Sequence, residues 1–114
     1  MGVTGVHALL YSSAPDELRA VLREAFGWPH VDAHDGWLIF RLPPGELGVH
    51  PAETPHHELS LICDDLPATM AELAEKGVAF RGEPEDRGFG VAVTMLLPGG
   101  LELLLYEPRH PTAI

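Results

Sequence analysis

The chain has 114 residues, 17 of them acidic and 7 basic, for a formal charge of −10 and a pI near 4.9. A duplex nucleic-acid binder needs a Lys/Arg face to displace counterions, and one Lys with six Arg does not supply it; the acidic balance also excludes an anionic membrane surface as partner. One cysteine, Cys63, leaves no intramolecular disulfide, no apolar run nears the ~20 residues that span a bilayer, and Met-Gly-Val-Thr-Gly opens no signal peptide, so a single acidic cytoplasmic domain over 1–114 is expected.

The first strand is expected over 4–12. Ser13 with Asp16 three residues on, and Pro15 between, reads as a capping box. Leu18, Val21, Leu22, Ala25 and Phe26 then form one apolar helical stripe, and Gly27 supplies a left-handed stop. An extended piece near 31–34 and a strand over 37–42 follow. The turn Pro43-Pro44-Gly45 leads into a short strand, Glu46 to His50. A polar linker, 51–55, separates this half from the next.

The second half repeats the plan. A strand is expected over 57–63, then a helix capped by Asp64 or Asp65, with Leu66, Met70, Leu73 and Ala74 on its stripe and Gly77 at its end. Strands at 78–80, 89–97 and 101–107 complete it, with a Gly- and acid-rich loop over 82–90. His7 to Gly27 and His57 to Gly77 are both 20 residues apart, and the two Leu-Pro turns, Leu42 and Leu97, are 55 apart. Several matched spacings in one order indicate a duplicated unit. The expected fold class is α+β: two βαβββ units, about 4–51 and 56–108, forming a curved antiparallel-rich sheet. Helices would cover one face and leave a cleft on the other. With no third helix for that cleft, a homodimer is expected.

Alternation along strands places side chains two apart on one face. The cleft face is thereby expected to hold His7, Tyr11, Glu46, His50, His57, Glu102, Leu104 and Tyr106. His30, His34, His56 and His110 read as surface residues, and Cys63 as a small buried one. Trp28, Trp37 and Tyr106 are candidates for stacking against a ligand. No phosphate-binding glycine loop and no Ser-His-Asp spacing stand out.

Several motifs together carry a resemblance. They are the histidine opening each first strand, the two matched helices, Phe26-Gly27-Trp28, Cys63-Asp64-Asp65-Leu66 and Pro98-Gly99-Gly100-Leu101-Glu102-Leu103. From Val6 to Pro108 the chain resembles the vicinal oxygen chelate superfamily of glyoxalase I, bleomycin-resistance proteins and extradiol dioxygenases. Metal-using members hold a divalent ion on the first and last strands of each unit. That implies His7 and His57 as ligands to Zn, Ni, Mn or Fe. The last-strand positions, usually Glu, fall on Gly48 and Leu104, which offer no ligand atom. Glu102, two residues away on the same face, becomes the third ligand and the carboxylate that moves a proton, while Tyr11, His50, Leu104 and Tyr106 line the substrate. The resemblance implies two functions: a divalent-metal-dependent lyase, isomerase or dioxygenase, or a metal-free binder of a drug or metabolite. An association domain with a vestigial pocket is the third reading.

Overall fold

A computed structural model describes Gly2 and residues 5–114. In chain order, Pro15–Glu24 form helix α1, His30–Asp32 strand β1, Leu38–Phe40 β2, Ser60–Ile62 β3, Leu66–Glu75 helix α2, Ala79–Asp86 β4, Gly90–Leu97 β5 and Leu101–Pro108 β6. The α+β architecture is a four-stranded sheet, ordered β3-β6-β5-β4, and a separate antiparallel ribbon of β1 and β2. β3 runs parallel to β6, and the other neighbours are antiparallel.

The second half is a complete βαβββ unit. The Asp65 carboxylate accepts from the Ala68 N–H at 3.0 Å and caps α2. Glu107, at the far end of β6, accepts from the Leu66 N–H at 2.9 Å, so the sheet supplies a second cap with favourable charge. Gly77, at φ 92°, takes the left-handed position past the end of α2. Along β5, Val93, Met95 and Leu97 point to the helices, joined from β6 by Leu103 and Leu105.

That core also takes Leu18, Leu22 and Ala25 of α1 beside Leu66 and Leu73 of α2. The helix of the first half therefore lies on the sheet of the second. Its start differs from expectation. Ala14 is the N-cap residue and no side chain caps it. Ser13 Oγ instead donates to the Gly99 carbonyl at 3.3 Å, and Ser12 Oγ donates to the Pro98 carbonyl at 2.7 Å while accepting from the Ala14 N–H at 3.0 Å. The hydroxyls serve a tertiary joint to the β5–β6 turn, which local spacing does not reveal.

Three further expectations change. Residues 82–86 extend β4 instead of forming a loop, with a register shift between Arg81 and Glu85 that Gly82 (φ 66°) accommodates. β3 begins at Ser60, three residues later than expected. The strands expected over 4–12 and 46–50 have no ladder partner; Thr4 lies outside the described residues, and 5–12 and 41–50 contain no assigned strand. These segments leave Val6 94%, Leu47 92%, Val49 91%, Tyr11 81% and Leu9 59% exposed. The radius of gyration, 15.1 Å, exceeds the about 13 Å expected of a compact chain this long. Among the described residues, the β1–β2 ribbon is therefore the only sheet of the first unit.

Gly99 sits at φ 80°, and a Cβ there would lie 1.9 Å from Ser12 Oγ and 2.7 Å from the Ala14 nitrogen. Gly99→Ala is expected to cost about 2 kcal/mol or more, from left-handed strain plus the broken joint. Gly100, at φ 76° with nothing within 4 Å of its Cβ position, provides the control. Gly100→Ala is expected to cost only the conformational part, about 1 kcal/mol. Equal losses in urea unfolding would remove the Ser12 contact from the explanation.

Candidate functional site

The sheet face opposite the helices carries the cleft row. Ser60 and Thr94 both lie beside Leu104, Ile62 and Ala92 beside Tyr106, and Leu96 beside Glu102. An open depression of about 440 Å³ runs along β6, lined among others by Glu58, Ser60, Arg87, Phe89, Glu102 and Leu104. Leu104 sits mid-row with a hydroxyl-bearing neighbour on each side, an apolar floor with two hydrogen-bonding positions.

Aromatic residues close one end. The Phe89 and Tyr106 rings meet edge-to-face, 5.1 Å between centroids at 87°. Tyr106 also touches His110, with its hydroxyl 3.0 Å from Nε2. His110 Nδ1 lies 2.8 Å from the Pro111 carbonyl. A carbonyl only accepts, so in this contact Nδ1 carries a proton. Burial pushes the phenol above its ordinary pKa, and the Glu46 carboxylate adds to the rise. Glu46 itself is engaged: it accepts from the Ala113 N–H at 2.7 Å and lies 3.8 Å from His110 Nε2. His110, expected at the surface, is thus half-buried against Tyr106.

The other expected residues divide sharply. Tyr106, Leu104 and Glu102 share the cleft row as β6 alternation predicts. Glu102 Oε2 is 2.5 Å from Arg81 Nη2, so the carboxylate expected to ligate and move protons is held by a guanidinium. His7, Tyr11, His50 and His57 are exposed. On β3 the faces are reversed from expectation: Leu59, Leu61 and Cys63 pack on the core, leaving Ser60 and Ile62 in the cleft row and Glu58 beside the depression. Alternation carried back from β3 puts His57 in the core-side row. Trp28 packs on Phe26, with centroids 5.1 Å apart, and Trp37 lies beside the β1–β2 ribbon, so neither stands in the depression.

Among the described residues no group of three or more His, Cys, Asp or Glu side chains is close enough to hold a metal ion. The donors of a single chain therefore do not fit a chelated divalent cation: two are exposed histidines, and the third is paired with Arg81.

Glu58, Ser60, Arg81, Arg87, Phe89 and Thr94 were not singled out by sequence reasoning. One signal was available. Leu59, Leu61 and Cys63 are all apolar, whereas Glu58 and Ser60 are polar, which identifies the core side of β3. Arg87 and Phe89 enter through the bend between β4 and β5. There Asp86 bonds Arg109 and accepts from the Gly88 N–H at 2.9 Å. The Gly88 contact first, then Arg109, hold the Asp86 carboxyl below the usual carboxylate range.

No protein-family model matches the sequence, and a search of curated proteins finds no significant match. Solved structures do match. TnmS3, an antibiotic-binding protein from Streptomyces sp. CB03234, is 24% identical with a TM-score of 0.68, covering 96% of this chain and 99% of its own. A member of the glyoxalase/bleomycin resistance protein/dioxygenase superfamily from Sphaerobacter thermophilus DSM 20745 is 23% identical, TM-score 0.60, covering 94% and 99%. An integron cassette protein from the mobile metagenome of V. cholerae is 16% identical, TM-score 0.60, covering 94% and 97%. At these identities the likeness is one of fold: the chain has the vicinal oxygen chelate fold. Among the described residues no helix is long and apolar enough to cross a membrane.

Cys63 is the one thiol beside the site, and its Sγ lies 3.7 Å from the Tyr106 carbonyl. Burial pushes its pKa up; a hydrogen bond with Thr69 opposes this, and Glu107, Asp64 and Asp65 add to the rise. Less thiolate means slower attack. In native buffer at pH 8, Cys63 is expected to react with a disulfide reagent more slowly than a free thiol, recovering the free rate in denaturing urea. Cys63 is half-buried, where the sequence pattern predicts a buried thiol, and equal rates in both solvents would contradict its assignment as an inert one.

Proposed function

On the vicinal oxygen chelate fold that this chain carries, we propose that it binds a small antibiotic-like molecule without a metal ion, acting as a homodimer. The observation that carries the reading is Leu104. It places an apolar side chain, with Ser60 and Thr94 beside it, where a metal-using site needs a carboxylate. The Phe89–Tyr106 pair supplies a stacking wall. Glu58 and Arg87 stand at the rim, while Glu102 is neutralised by Arg81. An apolar floor with a few placed polar groups is the usual design of a ligand pocket. The antibiotic-binding neighbour supports the same class. A formal charge of −10 favours a neutral or cationic ligand. The alternative reading is a lyase, isomerase or dioxygenase using a divalent ion on His7 and His57. It requires donor groups to gather that stand apart in one chain.

Calorimetric titration with a panel of neutral and cationic antibiotics, with and without chelator, tests this. At least one ligand is expected to saturate one site per chain with an affinity that the chelator leaves unchanged. Leu104→Arg is expected to weaken it at least about tenfold, the equivalent of 1.4 kcal/mol, by filling the floor and adding a desolvated charge. Binding that vanishes with chelator and returns with Zn, Ni, Mn or Fe would instead establish the metal-dependent alternative. No binding across the panel would leave the antibiotic reading without support.

A further inference from the structure

Three charged side chains border the depression along β6: Glu58, Arg87 and Glu102. A charge beside a cleft selects a ligand to the extent that the protein leaves it unsatisfied. Glu102 is satisfied by Arg81, Oε2 to Nη2 at 2.5 Å. Glu58 differs. Among the described residues the other basic side chains that form ion pairs do so elsewhere: Arg19 with Asp16, Arg23 with Glu24, Lys76 with Glu72 and Arg109 with Asp86. Arg87 is nearly as open. Its carboxylate contact, Glu85 to Nε at 3.9 Å, is too long for a hydrogen bond. Both Nη atoms of its guanidinium fork are thereby left without a carboxylate among the described residues. The backbone that carries Arg87 is nonetheless fixed. The Arg87 N–H donates to the Gly90 carbonyl at 2.9 Å, and the Arg109 N–H donates to the Phe89 carbonyl at 2.8 Å.

One carboxylate and one guanidinium therefore line a single space of about 440 Å³ without pairing with each other. Glu58 enters two residues before Ser60, on the β3 side, and Arg87 enters from the β4–β5 bend. In the sheet order β6 lies between those elements, and it carries Leu104. We infer that the ligand of this cleft is a zwitterion with an apolar body. Its ammonium group lies against Glu58, its carboxylate on the Arg87 fork, and its body over Leu104 and against the Phe89 ring. The inference rests on the small-molecule reading above and narrows it to a ligand class. A chain of charge −10 repels a plain anion, so Arg87 alone does not recruit one. A plain cation satisfies Glu58 and leaves the guanidinium facing a second positive charge in the same space. A zwitterion carries no net charge and meets both groups.

Calorimetric titration of the full chain tests this with two aromatic scaffolds, ampicillin and the dipeptide Phe-Leu. Each is used as the free zwitterion, with its amine acetylated, and with its carboxylate blocked as an amide. At least one zwitterion is expected to bind about fivefold more tightly than either of its blocked forms, the upper range of a partly exposed ion pair. Glu58→Gln is expected to remove the preference for the free amine and keep that for the free carboxylate. Arg87→Gln is expected to do the reverse. Both positions are exposed, so circular dichroism is expected to stay unchanged. Blocked forms that bind as tightly as the zwitterion overturn the inference and leave the small-molecule reading standing. A preference for the free amine that survives Glu58→Gln, or for the free carboxylate that survives Arg87→Gln, does the same. Where neither scaffold binds in any form, saturation by a member of the neutral and cationic panel overturns the inference alone. Silence of both sets overturns the two readings together.

Discussion

The structure depends on one packing event, the burial of α1 and α2 against a single face of β3-β6-β5-β4. Met95 and Leu66 at its centre are completely or almost completely shielded from water. Each such side chain stabilises the fold by roughly 1.5–3 kcal/mol on burial. The Ser12 and Ser13 bonds to the β5–β6 turn contribute about 1 kcal/mol each at most, because the hydroxyls exchange water for carbonyl partners. The leucines of α1 therefore provide its adhesion, and the serines set where along the sheet it lies. Once α1 is placed there, it is committed to the second unit's sheet. Segments 5–12 and 46–50 then find no ladder partner among the described residues.

The same event explains what was legible. The stripe of α1, the stripe and cap of α2, the β1–β2 ribbon, β5 and β6 all announce themselves through local periodicity or spacing, and each appears where expected within a few residues. Local pattern speaks for a side chain's own element and is silent about which sheet that element joins. Segment 46–50 alternates Leu47 and Val49 with Glu46, Gly48 and His50, and 5–12 is rich in apolar residues, yet neither is an assigned strand. A pairing neighbour is not encoded within a segment.

The cleft shows the same division on a finer scale. Leu104 and Tyr106 fell in the right row because β6 is long and its core side is unmistakable. On β3 the paired histidines of the repeat drew attention to His57, and the faces came out reversed. The apolar Leu59, Leu61 and Cys63 decide that strand, since a one-residue error exchanges its entire core set with its cleft set. Arg81 was invisible as the partner of Glu102, because the contact crosses β5 and joins residues 21 apart.

The Arg81–Glu102 pair also bears on how the cleft handles charge. Both side chains are about half exposed, so the pair adds little to stability. Its consequence lies in the site. A carboxylate already satisfied by a guanidinium is a weaker base and a poorer metal ligand than a free one, since either role requires displacing Arg81. With Leu104 as floor and Tyr106 a neutral phenol at physiological pH, its pKa moved only further upward by burial and by Glu46, the row presents neutral surface to an incoming molecule. Selection at such a surface comes from shape, from stacking on aromatic edges and from the Ser60 and Thr94 hydroxyls. The chain's negative charge then acts at long range, raising the local concentration of cations without fixing one in the cleft.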